Sequence, residues 1–268
     1  MEGVVYLLRG DSHVARLLVS VDSLRKFWAG DVTIVCTDKV GSNYATLMAN
    51  RYQLNVEERF SKGFRKHTSF VHKTDLSRYT PYSHTVFLDC DTMVVGDIVP
   101  LFPLGDEMVL TTYGNWVSTG KIMKGRISNW GNAAPEQVER MLKRSWPALN
   151  TGVFAFTDKT IFMQDWFEFT KRNVSFICDE IAAQLMYPDY PVRLMDDRYN
   201  FSPKNGTFAA KSDVAVYHFH GKKHLFPAAI DIWLPAFRSL YNNNVCGVAD
   251  WAPAGDKRLR KYMEDNEF

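Results

Sequence analysis

Two aspartates, Asp89 and Asp91, stand one residue apart just after the run Thr85-Val-Phe-Leu88. That run is β-branched and apolar and predicts a buried strand. Side chains at alternate positions share a face, so both carboxylates point the same way. Held together in a half-buried place they repel each other, and a hard divalent cation removes that repulsion. All-oxygen donors suit magnesium or manganese. The pair reads as a metal site; the plainer alternative is a solvated turn that carries two acids.

Other residues could serve the same site. Val214-Ala-Val-Tyr-His-Phe-His220 predicts a strand with His218 and His220 on one face, and either imidazole can add a nitrogen ligand. A core histidine is the ordinary alternative. Gly221, Lys222 and Lys223 follow, a local positive cluster suited to a diphosphate, on which lysine acts as a point charge. Lys73, in a basic helix predicted over 65–76, is a further phosphate candidate, although most of that helix reads as a solvated face. Asn150-Thr151-Gly152 precedes a strand predicted over Val153–Phe156; the trio can hold sugar hydroxyls or form a simple turn. Asp179 and Glu180 open a helix, either as first-turn acids favoured by the helix dipole or as catalytic or hydroxyl-binding carboxylates.

These residues need a frame. Val4–Leu8 predicts a first strand, Arg9–Ser12 a polar turn, and the apolar spacing from Val14 to Trp28 a helix. Val32–Cys36 is a second strand, so the chain opens with a βαβ unit and a parallel sheet. Leu8, Arg9, Gly10 and Asp38 would share the edge outside the strands' carboxyl ends, where ligands of open α/β sheets gather. Asp38 would either accept a base N–H or cap the next helix. There is no Gly-x-Gly-x-x-Gly and no Walker motif, which speaks against nicotinamide dinucleotides and P-loop chemistry. Further on, the patterns predict a helix over 43–52, short strands over 54–57, 108–113 and 192–195, an irregular glycine-bearing loop over 114–134, helices over 135–144 and 228–240, and a charged tail from Lys257. The expected fold is α/β, one domain over 1–268, with a mostly parallel central sheet flanked by helices.

Composition narrows the functional classes. Of 268 residues, 46% are hydrophobic and 23% charged, as in ordinary globular chains. A net charge of +2 is too small to argue for nucleic acid or an anionic membrane. No 18-residue apolar run suggests a membrane span, and the chain enters its first strand without a leader. Cys36, Cys90, Cys178 and Cys246 form no Cys-x-x-Cys pair and read as reduced thiols of a cytoplasmic protein.

Taken in order, the N-terminal βαβ unit, Phe87-Leu-Asp-Cys-Asp-Thr92, Asn150-Thr-Gly152 and His218-Phe-His-Gly221 resemble the GT-A fold (Rossmann-like) glycosyltransferases, most closely family 8, the glycogenin and lipopolysaccharide galactosyltransferase group. The resemblance implies a donor-binding half over about 1–110, an acceptor and metal half over about 111–240, and a C-terminal tail. It implies Mn2+ (or Mg2+) on Asp89, Asp91 and His218, with His220 as the alternative. It also places Cys90, Lys73, Asn150, Thr151 and Gly152 at the donor and Asp179 near the transferred sugar. His224 stands where the family carries a lysine, so Lys222 or Lys223 would meet the diphosphate. The implied donor is a UDP-linked hexose, the acceptor a hydroxyl of a carbohydrate, protein or lipid, and the outcome retention. Two rivals compete. Asp89-x-Asp91 also fits haloacid-dehalogenase phosphohydrolases, with Asp89 as nucleophile and Asp196-Asp197 as the late acidic pair, but that motif normally lies on the first strand. A catalytically silent nucleotide-sugar-binding protein is the other.

Overall fold

In β1 (Glu2–Leu8) Val4, Tyr6 and Leu8 pack into one apolar cluster and Val5 into another. A strand covered on both faces reads as a near-continuous apolar run, the mark of a parallel sheet interior. The computed structural model describes residues 1–60, 68–118, 139, 146–173, 179–203, 213–220, 227–255 and 257–265. Its main sheet has seven strands in the order β3-β2-β1-β4-β7-β6-β8. β1 pairs in parallel with β2 (Asp31–Cys36) and β4 (His84–Leu88), and β2 with β3 (Asn55–Glu58). β7 (Trp146–Thr157) runs antiparallel to β4 and to β6 (Met108–Ser118), and β8 (Val192–Met195) is parallel to β6. The mostly parallel α/β sheet is the one expected.

Helices cover both faces. On one side α1 (Val14–Leu24) contributes Leu17 and Leu18, and α6 (Pro227–Asn242) contributes Trp233 and Phe237. The same side takes Val248 of α7 (Val248–Gly255) and Leu259 of α8 (Lys257–Asp265). On the other side α4 (Ile161–Asn173) contributes Phe162 and Trp166, and α5 (Asp179–Met186) Ile181 and Leu185. None of the helices among the described residues is long and apolar enough to cross a membrane.

Three local readings change. α2 (Lys39–Tyr52) begins with Asp38 as its N-cap: Asp38 Oδ1 accepts from Gly41 N at 2.7 Å. Asp38 Oδ2 accepts from Gly10 N at 2.8 Å, so the carboxylate also clamps the turn after β1. Gly10 makes that turn at φ +66°, a conformation glycine adopts without penalty. Asp38 thus has the capping role that was one of its two expected readings. β7 starts at Trp146 rather than Val153, so Asn150-Thr151-Gly152 lies inside a strand and not in a turn before it. β6 runs to Ser118, past the end predicted at Tyr113, with shifts of register between Leu110 and Thr112 and between Thr112 and Val117. Gly221, Lys222, Lys223, His224 and Cys178 lie outside the described residues, as do the predicted loop beyond Ser118 and, apart from Glu139, the helix over 135–144.

A second, two-stranded sheet decides the site. β5 (Thr92–Val94) starts directly after Asp91 and pairs antiparallel with β9 (Val216–His218). Thr92 stands opposite His218 in that register.

Candidate active site

Strand order 3-2-1-4 places β1 and β4 side by side; the chain leaves β1 through α1 toward β2 and leaves β4 by a turn into β5 and on to the other half of the sheet, the switch point at which open α/β sheets bind ligands. A cleft of about 420 Å³ opens there, with Arg9 and His13 on the β1 side and Lys73, Asp89, Cys90 and Asp91 on the other. Its volume is in the range of small-ligand sites.

Asp89, Cys90 and Asp91 form a tight turn rather than a continuing strand. Thr92 N donates to Asp89 O at 3.1 Å, and Thr92 Oγ1 donates to the same carbonyl at 2.9 Å. The turn and the ribbon together deliver three donor side chains to one point. His218 Nε2 lies 3.1 Å from Asp91 Oδ1 and 3.6 Å from Asp89 Oδ2. Ligand atoms of Asp89, Asp91 and His218 all fall within 4.8 Å of one another. Two carboxylates and an imidazole fit manganese or magnesium in donor type, and the mutual repulsion of the acids is what a cation would remove. His220 does not share this position: its Nε2 meets Tyr113 OH at 3.4 Å, and its ring packs edge-on against His218.

Positive charge already surrounds the acids. Lys73 of α3 (Thr68–Thr74) donates to both oxygens of Asp89 at 3.1 Å and pairs with Asp179 Oδ2 at 3.2 Å. Burial works against the Lys73 charge, but Asp179 and Asp89 outweigh it and hold its pKa above the ordinary lysine range. Arg16 of α1 donates to Asp91 Oδ2 at 3.4 Å. The two carboxylates of the turn are split. Burial raises Asp89 above the usual range despite Lys73 and His218, whereas at Asp91 burial is outweighed by His218 and Arg16, which hold it low.

Several candidate residues do not face the cleft with their side chains. Leu8 is buried in the core, and its carbonyl accepts from Thr37 N at 3.1 Å; the neighbouring Leu7 lines the cleft instead. The Cys90 thiol turns back to donate to Leu7 O at 3.2 Å, and burial and the flanking acids push its pKa well up, so it is chemically quiet. Asn150 and Thr151 are buried and engaged by protein partners: Asn150 Oδ1 accepts from Gly152 N at 2.9 Å, and Thr151 Oγ1 donates to Asp179 Oδ2 at 2.7 Å. Asp179 is buried beside Lys73, and Glu180 is half-buried one residue on.

Gly152 has a steric role. Asp89 N donates to Gly152 O at 2.8 Å, which sets β7 beside the acidic turn. A Cβ on Gly152 would sit 2.1 Å from His218 Cε1 and 2.3 Å from Nδ1. The His218 ring therefore lies flat against a residue that has no side chain. Gly152→Ala is expected to force the imidazole off Asp91, cost about 1–3 kcal/mol of stability and weaken manganese binding; urea denaturation and metal titration check both.

Leu7 and His13, which line the cleft, were not among the sequence candidates, nor were two residues that contact Asp91 and His218. Arg16 is one. Its signal was there: Arg16, Ser20 and Ser23 are polar at i, i+4 and i+7 of an otherwise apolar helix face. All three are buried, and Ser20 and Ser23 meet β5, through Thr92 Oγ1 at 2.8 Å and Val94 N at 3.0 Å. The second is Asn200, whose Oδ1 lies 2.9 Å from His218 Nδ1. A single Asn after a short strand carries no pattern by which sequence reading could find it.

No protein-family model and no curated protein matches the sequence. Solved structures do match. The galactosyltransferase LgtC, in complex with donor and acceptor sugar analogs, aligns with a TM-score of 0.61 at 16% identity over 90% of this chain and 95% of that one. An active-site mutant of LgtC aligns with a TM-score of 0.57 at 14% identity over the same shares. The apo-form glycosyltransferase GlyE of Streptococcus pneumoniae TIGR4 gives 0.55 at 14% identity, over 91% of this chain and 64% of that longer one. With its sheet order, its acidic turn after β4 and these neighbours, the protein has the GT-A glycosyltransferase fold.

Proposed function

We propose that this protein is a metal-dependent glycosyltransferase that moves a hexose from a nucleoside-diphosphate sugar, UDP-linked, to a hydroxyl of a carbohydrate, protein or lipid acceptor, with retention. The observation that carries this reading is the convergence of Asp89, Asp91 and His218 at the switch-point cleft. Manganese or magnesium held by these three would neutralise charge developing on the leaving diphosphate. Lys73, which lines the same cleft, would share that charge. Arg9 and the backbone of the turn after β1 would flank the nucleoside. Asp179, oriented by Lys73 and Thr151, would hold a hydroxyl of the transferred sugar, with Glu180 beside it. With Asp179 already ion-paired, a retaining course that needs no free general base suits the site better than inversion. The free thiols of Cys36, Cys90 and Cys246 fit a cytoplasmic setting.

The phosphohydrolase reading has less behind it. Asp89, its nucleophile, follows the fourth strand in sequence, and Asp196, its partner acid, caps the turn over Asp197–Tyr199 by accepting from Arg198 N. Thermal-shift titration with UDP, GDP and their sugars, with and without manganese, separates the readings. UDP with manganese is expected to stabilise the fold by about 2.7 kcal/mol at a hundredfold excess over Kd, and UDP to be released from a UDP-hexose. Hydrolysis of an aryl phosphate, blocked by beryllofluoride and without any response to UDP, would overturn the proposal. Binding without turnover of any donor would support the silent binding protein.

A further inference from the structure

His218 can serve a cation at Nε2 only if its neutral ring carries its proton on Nδ1, and the surroundings of Asn200 decide which nitrogen that is. The deduction starts two residues away, at groups whose hydrogen-bonding sense admits no choice. Asn150 O is a carbonyl and can only accept; it receives Asn200 Nδ2 at 2.7 Å. Thr111 Oγ1 donates its one proton toward Asn150 O and Val153 O, at 2.9 and 2.8 Å, and so accepts from Asn200 Nδ2 at 2.6 Å. Asn150 Oδ1 is an acceptor as well, receiving Gly152 N and standing 3.3 Å from Asn200 Nδ2. The amide nitrogen of Asn200 therefore faces β6 and β7, and its oxygen faces His218. An amide oxygen has no proton to give, so at 2.9 Å the donor must be His218 Nδ1–H.

The remaining contacts leave the ring nowhere else to go. Its face lies on Gly152, and its Nε2 points at Asp91 Oδ1. With Nδ1–H given to Asn200, a second proton on Nε2 is what the Asp91 carboxylate receives at 3.1 Å, and a cation entering between the two carboxylates would displace that proton and take the Nε2 lone pair. If Nδ1 lost its acceptor, a neutral ring would keep its one proton on Nε2, shared with Asp91, and that nitrogen would be closed to metal.

We propose that Asn200 is a positioning residue that fixes the His218 proton on Nδ1 and so keeps Nε2 open to a divalent cation. The proposal rests on the metal reading of Asp89, Asp91 and His218 given above, but its first measurement does not need the metal. Groups that orient a ligating imidazole in this way contribute about 10–100-fold to metal affinity.

The test uses full-length protein labelled with 15N-histidine. The His218 ring signals are identified by their loss in His218→Gln, and long-range proton–nitrogen correlation shows which nitrogens are protonated in the metal-free protein. Manganese(II) alone is then titrated and its free fraction read by electron paramagnetic resonance, with no nucleotide and no turnover. Wild type is expected to show a protonated Nδ1. Asn200→Leu, its fold checked by circular dichroism, is expected to lose Nδ1–H, to keep its one proton on Nε2 and to weaken manganese binding about 10–100-fold. Asn200→Asp keeps an acceptor for Nδ1 while losing the donor to Asn150 O, with the Thr111 hydroxyl free to turn its proton to the new carboxylate oxygen, and it is expected to keep Nδ1–H. A bare Nδ1 in wild type overturns the proposal, as does an Asn200→Leu protein that matches wild type in both measurements. If Asn200→Leu does not fold, loss of Nδ1–H in Asn200→Asp overturns it. Wild type that carries Nδ1–H yet binds no manganese instead removes the metal reading and leaves the proton assignment standing.

Discussion

Replacing Asp91 by Asn is expected to abolish manganese-dependent stabilisation by UDP and to lower sugar transfer by at least about a hundredfold. Asp91 is the residue on which the site's charges meet: His218 Nε2 approaches one oxygen at 3.1 Å and Arg16 the other at 3.4 Å. A carboxamide has one accepting oxygen, so it must present an N–H either to the guanidinium or to the imidazole, and it brings no charge to a cation. The buried Arg16 also loses its counter-charge, which costs about 1–3 kcal/mol of stability. The acid side of the stability curve changes too. A carboxyl held below its ordinary pKa contributes stability that is present above the unfolded value of about 4 and fades as pH falls through the folded value. Asp91→Asn is therefore expected to lose stability at neutral pH and to show a shallower decline below about pH 4. Urea melts across pH and thermal shifts with UDP and manganese measure both effects; a variant that answers UDP as wild type does removes Asp91 from the metal site.

Lys73→Met is expected to be the most destabilising single change at the site. The ammonium sits between Asp89 and Asp179, with side chains 9% exposed at Lys73 and 6% at Asp179. Breaking a buried pair by removing one partner leaves an uncompensated charge and costs about 3–5 kcal/mol. The Thr151 hydroxyl, at 2.7 Å, is then a side-chain donor left to Asp179, and one neutral hydrogen bond does not replace an ion pair. The raised pKa of Lys73 gives the sign in wild type: its contribution is whole below the unfolded lysine value and fades only above about pH 10. In the variant Asp89, raised by burial, loses the lysine that lowers it and is easier to accept when protonated, so the deficit narrows as pH falls. Equal stability of wild type and Lys73→Met at neutral pH would show that the pair contributes nothing.

The parts of this molecule that could be read from its sequence are those with a repeating local cause. β1, β2 and β4 are buried on both faces, so their inner residues are nearly all apolar, Thr33 and Thr85 apart, and the acids that follow β4 stand out by contrast. Asn150-Thr151-Gly152 misled because polar residues and a glycine are also the composition of a turn. Inside β7 they occupy a strand whose neighbour changes register, the polar side chains being bonded to Asn200, Asp179 and their own backbone. The glycine is required by an imidazole that arrives from residue 218, and nothing within reach along the chain foretells it. Arg16 and Asn200 belong to the same class. Each is a lone polar residue whose partner lies far along the chain, 75 residues from Arg16 to Asp91 and 18 from Asn200 to His218. Asp38 was legible as a cap because the capping bond closes within four residues.

The pairing of β5 with β9 has a consequence for biosynthesis. All seven strands of the large sheet are present once the ribosome has passed Met195, yet the ribbon waits for residues 216–218. Asp91 and His218 are separated by 127 positions, a long loop to close before either is rewarded. A nascent chain can thus pair its large sheet before His218 is able to reach Asp91. Any divalent ion that needs all three donors would wait until residue 218 has been made and the ribbon has closed.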